Sequence, residues 1–138
     1  MVAYSYKKVF APLIAVGLKT QTIRAARRRH ARPGEMIQHY TGLRTKAAQK
    51  ICSDTLCLRV DPVILRFSPA LGGALVLLTS VEVAGVAVED VNHFAKLDGF
   101  EGRREMSAFW VKNHGAMELF EGVLIAWEPP QGPIAIVA

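Results

Sequence analysis

Gly17-Leu18-Lys19-Thr20-Gln21-Thr22-Ile23-Arg24 sets a lysine, two hydroxyls, an amide and an arginine directly after a glycine. Upstream, Val9 to Val16 reads as a short apolar helix. Phe10, Leu13, Ile14 and Gly17 recur at offsets of three and four, which gives it one buriable face. Gly17 can adopt the left-handed backbone that ends a helix. On a plain strand Lys19 and Thr22 would point to opposite faces, because side chains alternate. They converge only if Lys19 lies in the turn and Thr22 opens the next element. The same residues also fit a helix stop followed by a polar edge strand.

Outward from this stretch, the charge is divided along the chain. The net charge is +5, yet residues 1–50 hold eleven Lys or Arg against one acid, Glu35, while residues 51–138 hold six against eleven. A basic region of this kind suits a polyanion, most often nucleic acid, and equally a solvated surface. Arg24, Arg27, Arg28, Arg29 and Arg32 fall within nine residues with His30. Their mutual repulsion predicts a surface loop able to follow phosphates.

With 138 residues, 51% hydrophobic and 21% charged, the chain reads as a single globular domain, residues 1–138, with a core of about 4–129. Cys52 and Cys57 make no disulfide framework and too few ligands for zinc, so no metal and no cofactor are expected. Met1 to Lys8 lacks the pattern of a signal peptide. No apolar run reaches the roughly 18 residues of a membrane span. A cytoplasmic location is expected.

Downstream, Tyr4-Ser5-Tyr6 predicts a short strand and Glu35 to Tyr40 another, after the Pro33-Gly34 turn. Ile51 to Phe67 predicts strand, bent or at an edge near Pro62. Ala74 to Val83 suits a central strand, with Val86 to Val88 a short one. Glu89 to Leu97 and Arg103 to Asn113 read as helices. Leu119 to Trp127 is a last strand, interrupted at Glu121-Gly122. Residues 130–138 form either a tail or a closing strand. Together these predict an α+β fold, a small mixed β-barrel with two or three flanking helices.

The motif Gly17-x-Lys19-Thr20-x-Thr22-Ile23-Arg24 is followed in order by four others: Pro33-Gly34-Glu35, Tyr40-Thr41-Gly42-x-Arg44-Thr45, Asp98-Gly99-Phe100 and Phe120-x-Gly122-x-Leu124-Ile125-x-Trp127. From about Phe10 to Pro129 the chain thus resembles the ASCH domain family. The resemblance implies a PUA-like pseudo-barrel that binds RNA or a modified nucleoside beside the lysine turn. One small bacterial branch hydrolyses the amide of N4-acetylcytidine with a Lys, a Thr and a Glu. These map onto Lys19, Thr22 and Asp98, where this chain has the shorter carboxylate, by about 1.5 Å of reach.

In such an amidohydrolase Thr22 would attack the acetyl carbon and Lys19 would take its proton, if burial or Arg24 lowers its pKa. Asp98 would help protonate the leaving amine. Thr20, Arg24, Arg27, Arg28, Arg29, Tyr40 and Arg44 are the expected substrate- or RNA-binding residues. A non-catalytic RNA-binding module uses the same cations with Tyr40 or Trp127 stacking on a base. A ribonuclease would instead draw on Lys19, Tyr40 and His39.

Overall fold

The computed structural model describes residues 2–73 and 75–131. The described residues form eight strands in one mixed sheet, with three α-helices, α1 (Ala11–Ala15), α2 (Val91–Leu97) and α3 (Arg103–His114). This is the expected mixture of helix and sheet. The ladder, however, is open rather than a closed barrel: among the described residues β1 (Val2–Tyr6) pairs with β3 (Met36–Thr41) alone, and β7 (Val86–Ala87) with β6 (Leu75–Val83) alone. Among the described residues no helix is long and apolar enough to cross a membrane.

The organiser of the sheet is β5 (Thr55–Ala70). Along one edge runs β8 (Leu119–Trp127), which also pairs with β2 (Gln21–Arg24). The first residues of β5 pair with β3, and its second half with β6. Two-residue β4 (Gln49–Lys50) extends β3. β1 and β3 are parallel, with Tyr4 opposite His39 and Tyr6 opposite Thr41. Alternation buries Tyr4 and Tyr6 from one strand and Ile37, His39 and Thr41 from the other.

Two strands run through residues expected to bend or interrupt them. Pro62 lies inside β5, opposite Val123 of β8 on one edge, while on the other edge it falls in the gap between the β3 pairing, which ends at Leu56, and the β6 pairing, which begins at Val63. A missing N–H is tolerated there. Gly122 lies inside β8, where a Cβ would come within 2.5 Å of the Arg24 carbonyl oxygen. Its lack of a side chain lets β2 approach, so the glycine permits the strand pairing instead of ending it.

Helix α1 is shorter than expected, because Lys8–Phe10 is a 3-10 turn. Phe10 and Ile14 are buried as the offsets predict. Its end is a Schellman motif: the Leu18 N–H donates to the Leu13 carbonyl at 2.9 Å and the Gly17 N–H to Ile14 at 3.2 Å, with Gly17 at φ +82°. Helix α2 starts at Asp90, whose carboxylate accepts from the His93 N–H, and ends in the same motif. There Phe100 N–H donates to Ala95 and Gly99 N–H to Lys96, with Gly99 at φ +100°.

The loop from Ala25 to Glu35 carries no regular structure, as its charge implies. It is nevertheless pinned to β1: the Tyr4 hydroxyl accepts from the Ala31 N–H and pairs with the His30 Nδ1 at 2.9 Å. Both cysteines are free thiols, Cys57 buried and Cys52 half-buried. The apolar segment 134–137, expected as a tail or closing strand, lies outside the described residues.

Candidate active site

Both Schellman turns deliver a charged side chain to the same place. Lys19 follows Gly17 by two residues, and Asp98 is the residue that caps α2 just before Gly99. The turns are joined by the backbone. Thr20 N–H donates to the Leu97 carbonyl at 3.0 Å, and Trp127 N–H donates to the Thr20 carbonyl at 3.0 Å. So the end of α2, nearly eighty residues along the chain, is held against the start of β2.

The Lys19 amine donates to the Asp98 backbone carbonyl at 2.5 Å and lies 3.6 Å from its carboxylate Oδ1. Only 3% of Lys19 and 5% of Asp98 is exposed. The lysine stem fits because Gly99 has no Cβ; one would stand 3.0 Å from Lys19 Cδ and 3.1 Å from the Phe10 ring. The amine sits 4.7 Å from the centre of that ring, a cation–π distance. Asp98 Oδ1 has no hydrogen-bond partner among the described residues.

Burial governs the proton affinity of both groups, since each loses hydration as an ion. It pushes the Lys19 amine below its ordinary value, against the pull of Asp98. It pushes the Asp98 carboxyl up to about 6, against Lys19 and the Gln21 side chain. The pair therefore lies closer to proton exchange than exposed partners would. Ordinary lysine and aspartate differ so much in basicity that only the ion pair would be populated.

Thr22, the second residue of β2, lines the same cavity of about 210 Å³ as Lys19 and Asp98. Its Oγ1 accepts a hydrogen bond from Arg24 Nε at 3.0 Å, which leaves the hydroxyl proton to be donated. Arg24 also donates to the Ser5 carbonyl at 2.8 Å and lies over the rings of Tyr4 and Tyr6, 5.2 and 5.0 Å from their centres. The guanidinium is thus held on Thr22 and remains beside the cavity as a cation. Burial lowers its pKa, but an arginine stays charged.

The remaining walls are aromatic. Phe10, Phe100 and Phe109 meet one another at centroid distances of 5.2 to 5.5 Å, and all three line the cavity with Trp110. A buried neutral chain stands behind Tyr6. Its hydroxyl pairs with His39 Nδ1 at 2.8 Å, and His39 Nε2 pairs with the Thr55 hydroxyl at 2.7 Å. Burial raises the Tyr6 phenol well above its usual range and lowers His39 to about 4, so neither is charged near neutrality. His39 does not line the cavity.

Thus Lys19, Thr22, Asp98 and Arg24 are brought together. Thr20 contributes backbone bonds and does not line the cavity. Arg27, Arg28 and Arg29 are exposed on the loop. Arg27 lies over Tyr4, and Arg29 is paired with Glu35. Tyr40 is half-buried on β3 and Arg44 is exposed in the following turn; neither reaches the cavity. Residue-type reasoning missed Ser5, Tyr6, Lys7 and His114 as cavity residues. The Tyr4-Ser5-Tyr6 strand signal carried no hint of it, because parallel pairing with β3 places β1 there.

Comparison of the chain with protein-family models, curated proteins and solved structures returned no significant match.

Proposed function

We propose that this protein hydrolyses the acyl amide on the exocyclic nitrogen of a cytidine-type base, as the resemblance to the N4-acetylcytidine branch of the ASCH family implies. The same reading assigns the chain to the PUA-like fold group; an open mixed sheet with three helices is compatible with a pseudo-barrel. The observation that supports the activity best is one cavity lined by Lys19, Thr22 and Asp98, with Arg24 held on the threonine hydroxyl.

In this mechanism Thr22 Oγ1 attacks the acyl carbon, and its proton passes to the Lys19 amine. Arg24 stabilises the oxyanion that forms. The C–N bond then breaks as the leaving nitrogen takes a proton from the Asp98 carboxyl. Water attacks the acyl-threonine ester and gives one proton to the Asp98 carboxylate. The departing Thr22 oxygen recovers its proton from Lys19. Acetic acid leaves and both groups return to their starting state. The reactive form carries one proton shared between amine and carboxyl, which is the form that burial of this pair brings within reach.

The test is release of cytidine from N4-acetylcytidine by the purified protein. Lys19→Ala and Thr22→Ala should each abolish release while the fold persists, judged by thermal melting. No turnover by the folded wild-type protein would remove the reading.

A second reading, a non-catalytic RNA-binding module, draws on the exposed Arg27 and Arg28 of the loop. It expects affinity for single-stranded RNA that falls steeply with salt and weakens when these arginines are replaced. The ribonuclease alternative loses support because His39 is enclosed by Tyr6 and Thr55.

A further inference from the structure

The cavity has a gradient from floor to mouth. Lys19, Thr22 and Asp98 are buried at the floor, whereas Lys7 and His114, which line the same cavity, are exposed. Lys7 follows β1 and His114 ends α3, so two separate elements bring their basic groups to one rim. The His114 ring is stacked on Trp110, with centroids 4.4 Å apart, which fixes its position. Lys7 is near enough that its charge, after burial, helps to lower the imidazole's proton affinity.

The charge of this lining is unbalanced. Its basic side chains are Lys7, Lys19, Arg24 and His114, and its one acid is Asp98, already engaged with Lys19. Among the described residues neither Lys7 nor Arg24 has a carboxylate within ion-pair distance. The two largest of the other clefts differ. One of about 690 Å³ offsets Arg66 and Arg103 with Glu82, Glu89 and Asp90; another of about 700 Å³ is mainly apolar, lined by Leu13, Leu18, Leu97 and Phe100.

A volume of about 210 Å³ is below the roughly 300 Å³ at which pockets enclose a whole drug-sized ligand. The floor and its aromatic walls suit a planar base with its acyl group. The sugar and whatever it carries are then left at the mouth. A neutral nucleoside gives the Lys7 ammonium there nothing to neutralise, but a phosphate does, taking a charge-assisted hydrogen bond from Lys7 and an N–H hydrogen bond from the His114 imidazole.

We infer that the substrate carries a phosphate, the base occupying the aromatic floor and the phosphate resting on Lys7 and His114 at the mouth. The inference rests on the proposal that the cavity takes a cytidine-type base. A free nucleotide and a nucleotide within RNA share this chemistry.

Affinities of the wild-type protein for cytidine, for cytidine 5′-monophosphate and for a cytidine-centred trinucleotide test it without requiring turnover. A phosphate-bearing probe should bind roughly tenfold tighter than cytidine at low salt. The advantage should shrink as salt rises and vanish in the Lys7→Ala/His114→Ala double variant, whose positions are exposed. Lys7→Glu should reverse it. A larger advantage for the trinucleotide assigns the phosphate to RNA, and for the monophosphate to a free nucleotide; either supports the inference. Equal affinity for cytidine and both phosphate-bearing probes overturns it, as does an advantage that survives the double variant. N4-acetylcytidine turnover separates the two proposals: turnover with equal affinities leaves hydrolysis standing and the phosphate excluded, while a phosphate advantage without turnover does the reverse.

Discussion

Lys19 and Asp98 face each other at 3.6 Å, each from the turn that ends a different helix, with almost no solvent on either. Burial moves their proton affinities toward each other. If the active form holds one proton between them, the rate must fall when both are protonated and when neither is. The rate against pH is therefore expected to be bell-shaped, with an acid limb near 6 from Asp98 and an alkaline limb below the usual lysine value. Asp98→Asn should remove the acid limb together with most of the rate.

The same carboxyl makes a prediction for stability. Its folded-state pKa of about 6 exceeds the ordinary 3.8, so the folded protein holds the proton more tightly. The stability Asp98 contributes is full below about pH 4 and is lost as pH rises through about 6. Thermal melts from pH 4 to 7 should show a decline that Asp98→Asn flattens. A decline of unchanged slope in the variant would show that other groups cause it.

Gly99→Ala places a methyl 3.0 Å from the Lys19 stem, 3.1 Å from Phe10 and in a left-handed backbone. The strain should cost about 1–3 kcal/mol, seen in denaturant unfolding. A displaced amine should also lower the rate, roughly a hundredfold for a shift of about 1 Å. Loss of stability with an unaltered rate would mean that the lysine need not sit where it does.

Much of this geometry is legible locally, and some of it is not. Gly17 announces the helix end, and with it the convergence of Lys19 and Thr22, because the turn depends on a few adjacent residues. Asp98-Gly99-Phe100 likewise reads as a helix end. That the two turns meet is set by Thr20 bonding to Leu97, a long-range pairing with no local signal. Pro62 reads only as a bend or edge and Gly122 as a break, because their effect depends on which neighbour lies alongside. Lys7 and His114 look like ordinary surface residues until β1 and α3 are placed beside one cavity.

The proposed resemblance puts Asp98 where the N4-acetylcytidine branch carries Glu, and the Asp98 backbone lies close enough for its own carbonyl to accept from Lys19 at 2.5 Å. On the proposed mechanism this close backbone would offset the shorter side chain. Asp98→Glu should therefore overfill the site, costing about 1–3 kcal/mol and lowering activity. Higher activity in the variant would mean that the aspartate is a defect of this chain.

Arg24 reaches Thr22 through Nε and Ser5 through its terminal nitrogen, a two-point grip that lysine lacks. Arg24→Lys should lower kcat by roughly a hundredfold, with KM changed far less. A rise in KM alone would make Arg24 a substrate-binding group with no part in activating the threonine.

The most direct measurement is incubation of the purified protein with N4-acetylcytidine, followed by chromatography of the nucleosides, with Thr22→Ala alongside. The cavity chemistry predicts cytidine and acetate in equal amounts from the wild-type protein and none above background from the variant. Unchanged N4-acetylcytidine after prolonged incubation with folded wild-type protein, or equal release by both proteins, would contradict it.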